Sequence, residues 1–143
     1  MSAPTARGLH HVELWVGDLE QARAQWGWLL GSLGWERAQD WPEGSLWEAA
    51  CGPYLVLTTP PLTAPQPHDR HRPGLNHLAL CAPDRTTVDQ VSQEAPERGW
   101  RPLYAERFPY AGGPEHYAAY LEDAQGFKVE VVAPRQVPAT RIG

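Results

Sequence analysis

Two histidines and one glutamate have types and spacings that suit a metal site. His11 and His77 each open a copy of the phrase His-x-x-Leu-x-x-x-Asp, and the copies are separated by 77 minus 11, or 66 residues. A repeat of this length in a chain of 143 residues predicts two similar halves about a pseudo-twofold axis, with a histidine at the same place in each. Two such imidazoles could converge on one metal ion.

Strand alternation places a carboxylate on the same face as these histidines. Successive side chains of a strand point to opposite faces, so His11 and Glu13 face away from the apolar residues between them. The same count applies to His77, and to Glu130 between two valines of the final strand. Two imidazoles and a carboxylate are a sufficient ligand set for a divalent metal and leave positions open for substrate. His10 points to the opposite face and becomes a ligand only if the register shifts.

The elements that must position these residues follow the same order in both halves. Residues 9–58 are predicted to form one βαβββ module and residues 75–133 a second. Residues 59–74 contain five prolines and are predicted to be a linker without regular structure. We therefore expect an α+β fold in a single domain, residues 1–143, in which the two tandem βαβββ modules form a curved mixed sheet with helices on its convex face.

Composition limits the function classes. The chain is 42% hydrophobic, enough for one core, and its formal net charge is −5 with a single lysine, Lys128. Without a basic stripe, no nucleic-acid partner is expected. No apolar run approaches the ~20 residues of a membrane span, and residues 1–8 lack the apolar segment of a signal peptide, which predicts a soluble cytoplasmic protein. Cys51 and Cys81 are expected to be reduced core thiols rather than a bridge, and the tail from residue 134 is expected to fray.

Three further side chains are candidate proton carriers. The closing hairpin at residues 123–126 returns the chain so that Tyr120 lies near Glu130, where a phenol could donate to a bound oxyanion; the alternative is a tyrosine ring in the core. His116 shares the face of Tyr120, or is an exposed residue at a loop end. Glu13 could be a general base beside His11, or it pairs with an arginine or with solvent.

An aromatic pocket wall could be formed by Trp15, Trp41, Trp47 and Tyr54.

Three segments together resemble the vicinal oxygen chelate superfamily. Residues 9–19 with the following helix look like its opening, residues 74–80 resemble the start of its second module, and residues 120–130 resemble its closing hairpin. That superfamily includes glyoxalase I, extradiol dioxygenases, fosfomycin-resistance proteins and bleomycin-binding proteins. The resemblance implies a glyoxalase/dioxygenase-like fold. It also implies that the metal ligands are His11, His77 and Glu130.

Two departures from the family pattern refine the expected site. Ala124 replaces the usual proline of the hairpin, which should alter the turn but not the ligand. Glyoxalase I typically takes a fourth ligand from the last strand of the first module, where this sequence aligns Val56. Valine cannot bind a metal, so the site resembles the three-ligand sets of extradiol dioxygenases and fosfomycin-resistance enzymes. Extradiol enzymes also place a tyrosine as Tyr120 is placed, but they generally use a further histidine that has no evident counterpart here.

The sequence thus predicts a divalent-metal-dependent enzyme in which Fe, Mn, Zn, Ni or Co acts as a Lewis acid on a small oxygen-chelating molecule. Ring-cleaving dioxygenase chemistry and lyase or isomerase chemistry are both compatible with the ligands. The alternatives are a bleomycin-resistance-like drug-binding protein without turnover, a fosfomycin-resistance-type transferase or hydrolase, and a metal-binding structural or regulatory protein. The family resemblance implies a homodimer and leaves open whether modules pair within one chain or between chains.

Overall fold

Strands and helices follow one another in the same order in both halves of the chain. The computed structural model describes residues 8–136, so the expectations for the first residues and for most of the tail lie outside the described residues. The first half contains β1 (His11–Trp15), α1 (Leu19–Ser32), β2 (Glu36–Trp41), β3 (Gly44–Glu48) and β4 (Tyr54–Thr58). The second half contains β5 (His77–Cys81), α2 (Arg85–Glu94), β6 (Arg101–Leu103), β7 (Ala118–Glu122) and β8 (Lys128–Val132).

Each half forms a four-stranded mixed sheet. The strand order is β1-β4-β3-β2 in the first sheet and β5-β8-β7-β6 in the second, with the first pair in each order parallel and the others antiparallel. The predicted α+β fold of tandem modules is confirmed. The hydrogen-bonded strands divide into two sheets, one for each half, because β1 and β5 each pair on one side only within the described residues.

The two halves share one hydrophobic core. α1 buries a stripe of apolar residues at helical spacing, and Trp26 at its centre is 0% exposed. The Trp26 indole donates a 2.8 Å hydrogen bond to Asp123 in the hairpin before β8, and the Trp100 indole donates a 3.0 Å bond to the Gln25 carbonyl. Buried indoles need such partners, so these two bonds specify how the halves pack together.

Helix ends follow from local chemistry. Asp18 and Asp84 accept hydrogen bonds from the backbone amides of Gln21 and Thr87, which satisfies donors that the first helical turns leave open. α2 ends at Glu94, and a short 3₁₀ turn containing Pro96 follows. Because proline has no backbone N–H, Pro96 cannot donate the next helical hydrogen bond.

The structure corrects two expectations about side-chain burial. Cys51 and Cys81 are free thiols as expected, but both are exposed rather than in the core. Trp47 does not wall a pocket, because it is 2% exposed and packs against α1 beside Gly27. Trp15 and Trp41 are exposed. Among residues 8–136, no helix is both long and apolar enough to cross a membrane.

Candidate functional site

The carboxylate of Glu130 is the centre of the candidate site. Its strand neighbours Val129 and Val131 are 0% exposed and pack in the core, so alternation turns Glu130 to the other face of the second sheet. We call this the open face; its residues are His77, Tyr120, Glu122, Lys128 and Glu130. Glu130 is itself only 6% exposed. A carboxylate buried to this degree requires polar partners.

Three side chains from three parts of the chain supply those partners. His116, in the loop before β7, contacts Glu130 Oε1 through its Nε2 atom. His77 Nε2, on β5, lies 3.2 Å from Oε2, and the Tyr120 hydroxyl on β7 donates a 3.2 Å hydrogen bond to Oε1. The side chains of His77 and His116 are 35% and 40% exposed. Both imidazoles are therefore accessible from solvent while they contact a buried carboxylate.

Tyr120 lies on the open face and not in the core. Burial and the neighbouring Glu130 carboxylate raise the pKa of Tyr120 to about 12, because both disfavour the phenolate. At neutral pH the phenol stays protonated and is a hydrogen-bond donor. This state suits a group that donates to an oxyanion.

Gly112 allows the loop before β7 to pack closely against His116 and Tyr120. This role of Gly112 was not predicted from the sequence. A Cβ atom at position 112 would lie 2.5 Å from both His116 Cδ2 and the Tyr120 hydroxyl. No side chain larger than hydrogen fits there without displacing both groups. The Gly112-Gly113 pair in the sequence was the available signal.

His11 and Glu13 lie on the first sheet, whereas Glu130 lies on the second. The His11 ring stacks on Tyr54 with centroids 4.6 Å apart, and its Nδ1 lies 2.9 Å from Nδ1 of His10. Glu13 accepts a 2.7 Å hydrogen bond from the Trp15 indole. The structure thus brings together four of the six expected residues. Within residues 8–136, no group of three or more His, Cys, Asp or Glu side chains is placed so that it could hold a metal ion.

Strand register supports the alignment of Val56 with Glu130. Glu13 of β1 pairs with Val56 of β4, and Ala79 of β5 pairs with Glu130 of β8. Glu13 and Ala79 are equivalent positions of the repeat, since they follow His11 and His77 by two residues. The two halves therefore have the same register but different chemistry at this position.

Lys128, on the open face, contacts Tyr104, the residue that follows β6; neither residue was predicted from the sequence as a site residue. Lys128 is 9% exposed and donates a 3.1 Å hydrogen bond to the Tyr104 hydroxyl. That bond lowers the pKa of Tyr104, because the ammonium stabilises the phenolate. Alternation from Glu130 could have identified Lys128. No sequence pattern identifies Tyr104.

Glu122 connects the open face to the linker through Arg70. Its carboxylate accepts a 3.0 Å bond from Arg70 and a 2.6 Å bond from Arg101. Burial raises the pKa of Glu122, but the two guanidinium groups outweigh it and lower the pKa below the ordinary value. The charged form is therefore favoured in the folded protein.

We expect Glu122→Gln to lower the free energy of unfolding at pH 7 by about 1 kcal/mol. The stabilisation is complete above the unfolded-state pKa of about 4.3 and is lost as the pH falls through the lower folded-state pKa. Urea unfolding of both proteins at pH 7, 5 and 3 should show the difference shrinking toward acid. Glu20→Gln, whose side chain is 81% exposed, is the control. A difference that grows toward pH 3 would contradict the assignment.

Comparisons with known proteins agree with this architecture. A Bacillus subtilis (strain 168) protein of uncharacterised function, YqjT, is 44% identical over 128 residues, covering 88% of this chain and 98% of the relative. A Bacillus halodurans protein described provisionally as a glyoxalase has a crystal structure that matches with a TM-score of 0.81 at 46% identity, covering 88% of this chain and 95% of its own.

A more distant structure has the same fold. A glyoxalase/bleomycin resistance protein from Albidiferax ferrireducens T118 matches with a TM-score of 0.71 at 23% identity, over 88% of this chain and 98% of its own. The sequence profile of the Glyoxalase/Bleomycin resistance protein/Dioxygenase superfamily matches residues 10–120. The chain therefore belongs to the glyoxalase/bleomycin resistance protein/dioxygenase superfamily.

Proposed function

We propose that this protein is a divalent-metal-dependent enzyme of the glyoxalase/dioxygenase type that acts on a small molecule with two adjacent oxygens. The observation that carries the proposal is the contact of two imidazole Nε2 atoms with the two oxygens of one buried carboxylate, that of Glu130. Imidazole and carboxylate donors together suit Fe, Mn, Zn, Ni or Co. The donor chemistry of the open face thus fits a divalent cation.

We assign the ligands as His77 and Glu130 of one chain and His11 of a second copy. His11 is exposed on the first sheet and has only His10 and Tyr54 as ring contacts in the described residues. Its imidazole is therefore available to another chain. This assignment makes the functional unit a homodimer with sites shared between copies.

The side chains beside the ligands have separate roles in this proposal. A metal held by these residues would supply Lewis-acid stabilisation of negative charge on the substrate oxygens. Tyr120, whose hydroxyl lies beside Glu130, donates a hydrogen bond to the developing oxyanion, since a phenol is protonated at neutral pH. His116, beside it, carries a proton. Glu13 would enter the site with His11 of the second copy and act as the base. Ring-cleaving dioxygenase, lyase or isomerase, and transferase or hydrolase chemistry are all compatible with such an arrangement.

A cavity in the chain favours a second candidate, a drug-binding protein without turnover. A space of about 500 Å³ lies between β1 and β5 and is lined mainly by apolar residues, among them Val12, Leu55 and Leu78. This volume is typical of small-molecule pockets. A protein of this kind would need no metal, and its ligand binding would not depend on Glu130. Metal content separates the two candidates.

The shared site predicts complementation between two defective chains. His11→Ala and Glu130→Gln homodimers should each lose bound metal. A heterodimer of the two, isolated through two different affinity tags, should regain about half of the wild-type metal content, because one of its two sites has every ligand intact. Elemental analysis of protein loaded and dialysed in parallel measures this. His71→Ala, in the exposed linker, is the control and should retain all metal.

The other outcomes are equally informative. A heterodimer without metal, from two metal-free homodimers, would mean that each site lies within one chain. Full metal in His11→Ala would remove His11 from the ligand set and favour His116 as the third ligand. Full metal in Glu130→Gln would overturn the metal-dependent proposal and favour the drug-binding candidate.

A further inference from the structure

Lys128 is a buried cation that has no carboxylate partner among the residues that the structure describes. It is the one lysine of the chain and is 9% exposed. Within residues 8–136, no ion pair within 4.0 Å involves its ammonium, which donates one hydrogen bond, to the Tyr104 hydroxyl. Burying a charge without a counter-ion costs free energy. The chain therefore retains a cation here that its own acidic residues do not neutralise.

Both acidic neighbours of Lys128 on the open face have other partners. Glu122 is directly opposite Lys128 in the register of β7 and β8, but its oxygens bond to Arg70 and Arg101. The Glu130 oxygens contact His77, His116 and Tyr120. The ammonium instead lies 5.0 Å and 5.4 Å from the ring centroids of Tyr104 and Tyr120. Cation–π contacts offset part of the desolvation cost but provide no hydrogen-bond acceptor to the remaining N–H groups.

Tyr104 adopts a strained backbone to reach Lys128. Its φ of 56° and ψ of 34° are left-handed, and it is the one residue other than glycine with positive φ in the described residues. This conformation is strained for a bulky residue, because its Cβ atom crowds the backbone. It lies immediately after β6 and directs the phenol to the ammonium. Two independent features, an uncompensated cation and local strain, thus coincide beside Glu130.

We propose that Lys128 and Tyr104 form a carboxylate-binding subsite, so that the substrate carries a carboxylate a few bonds from the oxygens that bind the metal. Lys128 and Glu130 leave the same strand on the same face two residues apart, which separates their Cα atoms by about 7 Å. The Lys128 ammonium and the Tyr104 phenol can each donate a hydrogen bond to a carboxylate, which accepts both. The inference rests on the proposed metal site at Glu130 for the placement of the other end of the substrate.

The experiment uses the single lysine as its probe. Zinc-loaded protein labelled with ¹⁵N-lysine has one lysine side-chain signal, that of Lys128. It is titrated with succinic acid monohydroxamate and with 4-methylpentanohydroxamate, which present the same two oxygens to a metal but end in a carboxylate or an isopropyl group of similar shape. We expect only the carboxylate compound to shift the Lys128 signal saturably, and to bind at least about tenfold more tightly.

Two variants test the assignment. Lys128→Met should remove the advantage of the carboxylate compound while the affinity for the isopropyl compound changes less than about twofold. Tyr104→Phe, which keeps the ring and removes the hydroxyl, should reduce the advantage in part. Equal affinity of both compounds for wild type, or an advantage that survives in Lys128→Met, would overturn the subsite.

Failure of the metal proposal would be recognised separately. If neither hydroxamate binds, the metal assignment fails, and butanoate is then titrated into the metal-free protein. A saturable shift of the Lys128 signal with butanoate would retain the carboxylate subsite, provided that only a high concentration of chloride displaces the butanoate. No shift with butanoate would overturn it as well.

Discussion

Replacing Glu130 by glutamine is expected to weaken divalent-metal binding by more than about 100-fold and to abolish turnover with it. Glutamine has the same shape but no charge, so it presents a neutral amide where His77 and His116 now contact a carboxylate. Loss of Glu130, a proposed ligand, should cost more than the 10–100-fold typical of residues that only orient a ligand.

Metal affinity of wild type and Glu130→Gln is measured by competition with a chromophoric chelator. Glu122→Gln is the matched control, because it makes the same change on the same face at a carboxylate held by Arg70 and Arg101. We expect the control to keep its metal affinity within about threefold. Wild-type affinity in Glu130→Gln would move the proposed site elsewhere in the chain.

The second large effect concerns stability. Trp26→Ala is expected to lower the free energy of unfolding by about 3–5 kcal/mol, a large part of the total for a domain of this size. The change removes a side chain that is 0% exposed and packs edge to face on Trp100 at 5.3 Å. It also leaves Asp123, which is buried, without its indole donor. Because Trp26 lies in the first half and both partners in the second, the loss should loosen the packing between halves.

Two further variants separate the causes of that loss. Trp26→Phe keeps an aromatic ring but not the hydrogen bond, so its cost should be smaller than that of Trp26→Ala. Trp15→Ala removes a tryptophan that is 45% exposed and should cost less than about 1 kcal/mol. Urea unfolding at one fixed protein concentration measures all three, since assembly would otherwise shift the midpoint. Equal costs for Trp26→Ala and Trp15→Ala would contradict the described core.

The repeat and the strand alternation predicted the fold and the orientation of its side chains. Alternation depends on backbone geometry within one strand, so it correctly turned Glu130 away from its two valine neighbours. The alignment of Val56 with Glu130 agrees with the strand pairing, since β1–β4 and β5–β8 have the same register. Trp26 lies on the apolar stripe of α1, and the helical spacing of that stripe in the sequence accounts for its burial. Each of these properties depends on residues close together in the chain.

Contacts between distant segments depended on the tertiary structure. Alternation places His11 and Glu130 on corresponding faces, but the packing of the two halves leaves them on separate sheets of one chain. The path of the loop at Gly112 brings His116 to Glu130, and a left-handed Tyr104 meets Lys128. Periodicity specifies which face a side chain occupies, but not which faces meet or how a loop returns, since these depend on packing over the whole chain.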